Sequence, residues 1–154
     1  MRVRVNALFR NISCMVILAG VLLTACGTEN GIEVHRVWMS PAAQGENSVV
    51  YFVMHNHASE PDELSSVTSD AAQTVELEES TNSGETMKKL AFLPVEAFAE
   101  IEFAPGAHNI LLIGLTHDLK VSDEIEITLH FKHNEDITLK VPVENRSLPE
   151  EEEN

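Results

Sequence analysis

The sequence predicts a single all-β domain, either a β-sandwich or a Greek-key barrel. Apolar residues recur at every second position, most clearly from Ile125 to Phe131 and from Ile137 to Val143, which is the period of a strand with one buried face. The apolar runs are short, and turn residues separate them at regular intervals, as in all-β folds. The 154 residues are 44% hydrophobic, which is enough to bury the core of one domain.

The first 25 residues predict a secretory signal peptide. Three arginines precede an apolar run at positions 14–23, and small residues lead to Cys26. This run is about half of the roughly 20 residues that a membrane-spanning helix needs. Leu23-Thr24-Ala25-Cys26 also resembles a bacterial lipobox, which implies that Cys26 is diacylated and that residues 26–31 link the domain to its lipid anchor. The alternative is an ordinary signal peptide in which the cysteine is incidental.

The domain itself is placed at residues 32–146, and β-branched or aromatic runs mark its strands. Ser48 to His55 is apolar on both faces, so it is expected to be a central strand. His133-Asn134-Glu135 suits a hairpin between the two alternating segments named above. Residues 147–154 include four consecutive glutamates and are expected to form an acidic, disordered tail. The other candidate strands are Ile32 to Trp38, Gln73 to Leu77, Met87 to Phe92, Phe98 to Phe103 and Asn109 to Leu115.

Charge and cysteine content exclude several classes of function. The 25 acidic and 10 basic residues give a net charge of −15, and so negative a chain repels phosphate backbones, which argues against nucleic-acid binding. Its two cysteines cannot form a four-thiolate zinc site or a disulfide scaffold. The G-x-S-x-G motif, a phosphate-binding glycine loop and H-E-x-x-H are all absent. We expect a protein that is not an enzyme, although His117, Asp118 and scattered serines leave a hydrolase as a weaker alternative.

Histidine and methionine remain as metal donors, and together they suit Cu(I) without a thiolate. The segments around them resemble the PCu(A)C family of periplasmic and surface copper chaperones. The resemblance rests on Val75-Glu76-Leu77, then Met87, then Pro105-Gly106-Ala107-His108 and a strand that ends in Gly114-Leu115. It extends from Ile32 to Val143. The resemblance implies a cupredoxin-like, Greek-key β-sandwich.

The resemblance also implies a ligand set, which this sequence matches in part. The family binds one Cu(I) through a histidine, a methionine about eleven positions later and a downstream His-x-Met. The downstream histidine falls on His108, but its methionine falls on Ile110. The first histidine falls on Glu78 and the first methionine on Lys89, with Met87 two residues earlier.

The candidate metal site is therefore His108, Met87 and Glu78, which we expect to face one shallow pocket at an end of the sandwich. His117 is the best spare imidazole. A carboxylate as the third ligand favours Cu(II) or Zn(II) over Cu(I), so a high affinity for Cu(I) does not follow.

The function expected from these residues is that of a copper-binding, copper chaperone-like lipoprotein with a weakened or altered metal site. Its cofactor would be copper, as Cu(I) or Cu(II). The resemblance implies a copper acceptor such as a cytochrome oxidase subunit. The signal peptide and lipid anchor place the protein outside the cytoplasm, at the cell surface or in the periplasm of a bacterium. The alternative is a non-metal protein-interaction module on the same sandwich, with its acidic face meeting a basic surface.

A second group of donors lies in the central strand. His55 and His57 are two residues apart, so they share one face if the strand continues through them. With Met54 they could form a second donor set, although a solvated strand end and a core methionine are the simpler interpretation.

Overall fold

The computed structural model describes residues 31–81 and 86–146, and within these ranges β-strands are the only regular secondary structure. In chain order the strands are β1 (Ile32–Met39), β2 (Ser48–Asn56), β3 (Asp62–Thr68), β4 (Ala72–Thr81), β5 (Thr86–Lys89), β6 (Leu93–Val95), β7 (Glu100–Phe103), β8 (His108–Leu115), β9 (Glu124–Phe131) and β10 (Ile137–Pro142). The expected signal peptide, Cys26 and the acidic tail lie outside the described residues. No helix in the described part of the chain is long and apolar enough to cross a membrane.

The strands form two sheets. The larger sheet has six strands in the order β1-β2-β7-β8-β4-β5, and the smaller has four in the order β10-β9-β3-β6. Strand β2 pairs with β1 on one side and with β7 and β8 on the other, so the prediction that it is a central strand is confirmed. The prediction of an all-β fold is confirmed as well.

One apolar core includes residues from both sheets. Phe52 and Phe103 are stacked with ring centroids 4.1 Å apart, and the largest buried side chains of the smaller sheet include Ile127 and Leu129. We call the side of the six-stranded sheet that carries Phe52 and Phe103 its inner face and the opposite side its outer face. The buried hydrophobic residues of the described chain all lie between Met39 and Val143. A chain that begins at Gly27 therefore keeps the entire core.

Two strands are absent from the sequence prediction, and each has a physical reason. Strand β3 follows the turn residues at 59–62, and its pairing with β9 shifts register between Leu64 and Ser66, so its apolar residues break the period of two. Strand β6 has only three residues, with Pro94 in the middle. Because β6 lies at the edge of the smaller sheet, the absence of an N–H group on Pro94 is tolerated there.

The hairpin between β9 and β10 is held by a buried carboxylate. Asp62 is 6% exposed and accepts hydrogen bonds from the backbone N–H groups of Glu63, His133 and Asn134 and from the Asn134 side chain. Burial alone would raise the pKa of Asp62, but the hydrogen bonds from Asn134, Glu63 and His133 outweigh it and hold the pKa below its usual value. The ionised form of Asp62 therefore stabilises the folded state.

Candidate metal site

The expected ligands lie at one end of the six-stranded sheet, where β4 runs between β5 and β8. Glu78 of β4 is opposite Lys89 on one side and Asn109 on the other. Met87 of β5 is opposite Ser80, and His108 of β8 is opposite Glu79. The three expected ligands therefore come from three adjacent strands.

The register places these ligands on different faces. Residues directly opposite each other in a sheet project to the same face, and successive residues along a strand alternate. Leu77 and Ile110 are opposite each other and both are buried in the core, so Glu79 and His108 project to the inner face. Glu78 and Met87 project to the outer face.

The expected pocket shared by Glu78, Met87 and His108 is therefore not formed. Strands β5 and β8 are separated by β4, so their backbones are roughly 10 Å apart. Long side chains on one face could span that gap, but Met87 and His108 lie on opposite faces. A metal bound at about 2.0–2.3 Å from each donor requires donor atoms within roughly 4.5 Å of each other. The separation has a simple physical origin: a difference of one residue in strand register moves a side chain to the other face.

Each face also carries a lysine beside the expected ligand. On the outer face, Lys89 Nζ lies 2.6 Å from Glu76 Oε1. On the inner side, Lys88 Nζ lies 3.4 Å from Glu79 Oε1. A neighbouring ammonium group opposes the binding of a metal cation, so both positions are poorer metal sites than their carboxylates suggest.

His108 itself is half-buried at the margin of the core. Its ring centroid lies 5.8 Å from that of the buried Phe103. Ile110, two residues further along the same face, is fully buried and has no donor atom. Because Ile110 stands where a methionine would be, His108 is an isolated imidazole rather than part of a His-x-Met pair. On the other face, Asn109 Oδ1 and Ser80 Oγ are buried without a hydrogen-bond partner.

His117 does not join this site. It follows the end of β8, whereas His108 begins that strand. At about 3.3 Å per residue the two imidazoles are separated by well over the length of any side chain. The Nδ1 atom of His117 is 3.0 Å from Thr116 Oγ1, and Asp118 accepts a hydrogen bond from Gln44 N, so these residues form no triad with each other.

The other candidate donors of the described chain are also dispersed. Within residues 31–81 and 86–146, no group of three His, Cys, Asp or Glu side chains is arranged to hold a metal ion. Met54 is fully buried on the inner face, so it is separated from His55 and His57. A hydrogen-bonded chain joins Thr68 Oγ1 to His130 Nε2 at 2.8 Å, and His130 Nδ1 to Asp136 Oδ2 at 2.8 Å. It lies on the exposed surface of the smaller sheet rather than in a cleft.

Known structures share this fold. The copper-bound PCuAC domain from PmoF2 superposes with a TM-score of 0.65 at 22% identity, covering 75% of this chain and 93% of that domain. The Cu(I) form of DR1885 from Deinococcus radiodurans superposes with a TM-score of 0.61 at 21% identity, covering 77% of this chain and 83% of that protein. The resemblance to PCu(A)C domains is therefore confirmed in the fold.

Sequence comparison identifies the family. A protein of Leifsonia xyli subsp. xyli (strain CTCB07) named "Putative lipoprotein Lxx21020" is 28% identical over 137 residues, covering 87% of this chain and 82% of that protein. The family model described as "Putative lipoprotein LpqE-like" matches residues 32–143, a range that contains all ten strands. The chain belongs to the LpqE-like lipoprotein family.

Proposed function

We propose that this chain is an extracytoplasmic, copper-binding lipoprotein that acts like a copper chaperone, with a site weaker than the PCu(A)C pattern implies. One observation carries the proposal: the fold that surrounds copper in the PmoF2 domain recurs here over most of the chain. His108, Met87 and Glu78 lie at one end of the six-stranded sheet. Their division between two faces supports the weaker site of this proposal, because no single ion would reach all three.

The divided ligand set has a definite chemical consequence. On the outer face a carboxylate and a thioether are available, and on the inner face one imidazole beside Glu79. Either pair holds copper with few protein ligands, and mixed hard and soft donors discriminate poorly between Cu(I) and Cu(II). Such a site suits capture and release better than storage.

Isothermal titration of Cu(I) and of Cu(II) into residues Gly27–Asn154 tests copper binding. This form of the chain lacks both cysteines, so no thiol contributes to the signal. Saturable binding that weakens in His108→Ala or in Met87→Leu supports the proposal. If neither ion binds saturably, copper is not the cargo of this protein.

The lipid anchor and the acceptor belong to the same proposal. Diacylation of Cys26 would keep the domain at the membrane surface, and copper would pass to the copper centre of a cytochrome oxidase subunit. Radiolabelled palmitate should enter the intact chain and not the Cys26→Ser variant. The copper-loaded domain should restore the absorption of a copper-free oxidase fragment, and failure to do so at full loading would exclude that acceptor.

A second function, a protein-interaction module without metal, is favoured by the ion pair on the outer face. Lys89 is bound to Glu76 where the family pattern has a methionine ligand. Glu78, Glu100 and Glu102 lie on the same face, and the last two are exposed. An acidic sheet surface of this kind suits a basic partner. Capture of a basic partner by the native domain and not by a Glu100→Lys, Glu102→Lys variant would favour this function over copper binding.

A further inference from the structure

A cluster of two adjacent imidazoles, flanked by two carboxylates, lies on the outer face at the other side of the same sheet. No three of these side chains are arranged to hold a metal ion, so only the two imidazoles are considered as its donors. His55 of β2 is opposite Glu33 of β1 and Glu100 of β7. His57 follows β2 immediately, and its ring centroid lies 3.9 Å from that of His55. Both imidazoles are half-buried, whereas both glutamates are exposed. The cluster is separate from Glu78, Met87 and His108, which lie on β4, β5 and β8.

The hydrogen bond between His57 and Glu33 determines which ring nitrogen is free. His57 Nε2 lies 3.0 Å from Glu33 Oε2. An ionised carboxylate only accepts hydrogen bonds, so the proton of the neutral imidazole lies on Nε2. The lone pair is then on Nδ1, which is available to a metal. A carboxylate that orients a metal-bound imidazole in this way is a common arrangement around metal sites.

The backbone beneath the histidines is fixed by Asn56, which is fully buried between them. Its Nδ2 donates to the carbonyl oxygens of Glu60 and Glu96 at 3.0 and 3.1 Å, and its Oδ1 accepts from Ala58 N at 3.0 Å. Asn56 N also donates to the carbonyl oxygen of Ala99. Two imidazoles on so constrained a strand end lose little conformational freedom when they bind an ion.

The adjoining turn carries a second unusual feature. Phe98 has a φ of 58°, a left-handed conformation that is unfavourable for a phenylalanine. Its side chain is 66% exposed, and its N–H donates to the carbonyl oxygen of Ala58. The hydrogen bond between this turn and the segment that follows His57 joins the turn to the end of β2.

We propose that His55 and His57 form a two-imidazole site for Cu(II), with Glu33 orienting His57. The donors are imidazole nitrogens without a thiolate or thioether, which favours Cu(II) over Cu(I), and Cu(II) binds nitrogen ligands most tightly of the divalent first-row metals. Glu33 and Glu100 on either side of His55 attract a cation. The site deepens the proposed function and rests on it for the identity of the metal.

The test is a titration of residues Gly27–Asn154 with Cu(II), followed by electron spin-echo spectroscopy of the loaded native protein. We expect the tightest-bound equivalent to occupy His55 and His57 and to show nitrogen modulation from two imidazoles. His55→Gln or His57→Gln should lower the affinity by about 100-fold or more, and Glu33→Gln by about 10-fold, as for other groups that orient a metal ligand. His133→Gln removes an exposed imidazole elsewhere and should change nothing.

The outcomes separate this site from the proposed function. Loss of Cu(II) in His108→Gln with no change in His55→Gln and His57→Gln would overturn the site and leave copper binding standing. The same holds if the native protein binds Cu(I) but not Cu(II). If neither ion binds, both proposals fall. Because the echo spectrum is recorded on the native protein, it remains decisive even if a histidine variant does not fold.

Discussion

Two imidazoles and two thioethers introduced on the outer face should create a Cu(I) site, whereas the same four donors divided between the faces should not. The outer-face variant is Glu78→His, Lys89→Met, Asn109→His and Leu111→Met. Position 78 is directly opposite 89 and 109, and 111 follows 109 on the same face. The divided variant is Glu78→His, Lys89→Met and Ile110→Met, which keeps His108.

The magnitude follows from how many donors reach one ion. Side chains directly opposite each other have Cβ atoms about 4.5–5.5 Å apart, so positions 89 and 109 flank 78 within the reach of methionine and histidine. The outer-face variant gains two thioethers and two imidazoles, and we expect its Cu(I) affinity to rise by about 1,000-fold, or about 4 kcal/mol. In the divided variant the new sulfur at 110 enters the core, where Ile110 is fully buried.

Competition with a coloured Cu(I) chelator under anaerobic conditions measures both affinities. Lys89→Met removes an ion pair whose lysine is 62% exposed, and such a pair contributes little stability, so both variants should fold. Circular dichroism verifies this. If the divided variant gained as much affinity as the outer-face variant, the assignment of His108 to the inner face would be wrong.

Three further predictions concern the stability of the fold. Asp62→Asn should lower the free energy of unfolding by about 2 kcal/mol at pH 7, because a buried, ionised acceptor of hydrogen bonds is lost. The pKa of Asp62 is depressed in the folded state, so this stabilisation is present above the unfolded-state pKa of about 3.9 and is lost as the pH falls through the folded-state pKa. In urea titrations at several pH values, the unfolding free energies of the native protein and of Asp62→Asn should therefore converge on acidification. A difference between them that stays constant with pH would refute this role of Asp62. Gly114→Ala should destabilise the domain by about 1–2 kcal/mol, because Gly114 has a φ of 66° and a Cβ would lie 3.1 Å from the Gln73 side chain; an unchanged melting temperature would contradict this. Asn56→Ala should cost about 1–3 kcal/mol through the buried groups it leaves unpaired, and thermal unfolding that matches the native protein would show that Asn56 does not fix the end of β2.

The sequence predicts most of this fold because its strands obey a simple period. Segments such as Ile125 to Phe131 are alternately buried and exposed, as the residue pattern requires. The pattern fails at β3, where a register shift interrupts the alternation. It fails at β6 because three residues around a proline carry no periodic signal.

The arrangement of the candidate ligands was harder to predict, because a motif gives spacing but not the face of the sheet. The pairing of Glu79 with His108 fixes the face of His108, and this pairing depends on contacts between distant segments. The His55–His57 spacing was visible in the sequence. Its partner Glu33 was not, because the link between them exists only once β1 pairs with β2. A local pair of donors can be predicted from sequence, whereas a site assembled from three strands requires the register.

The separation of His108 from Met87 is tested most directly by a double-mutant cycle for Cu(I) binding to residues Gly27–Asn154. The affinities of the native chain, His108→Ala, Met87→Leu and the double variant give the coupling energy between the two side chains. Two donors that never share an ion should act additively, with a coupling within about 0.5 kcal/mol of zero. A coupling of about 2 kcal/mol or more would mean that one copper ion contacts both, which contradicts their placement on opposite faces of the sheet.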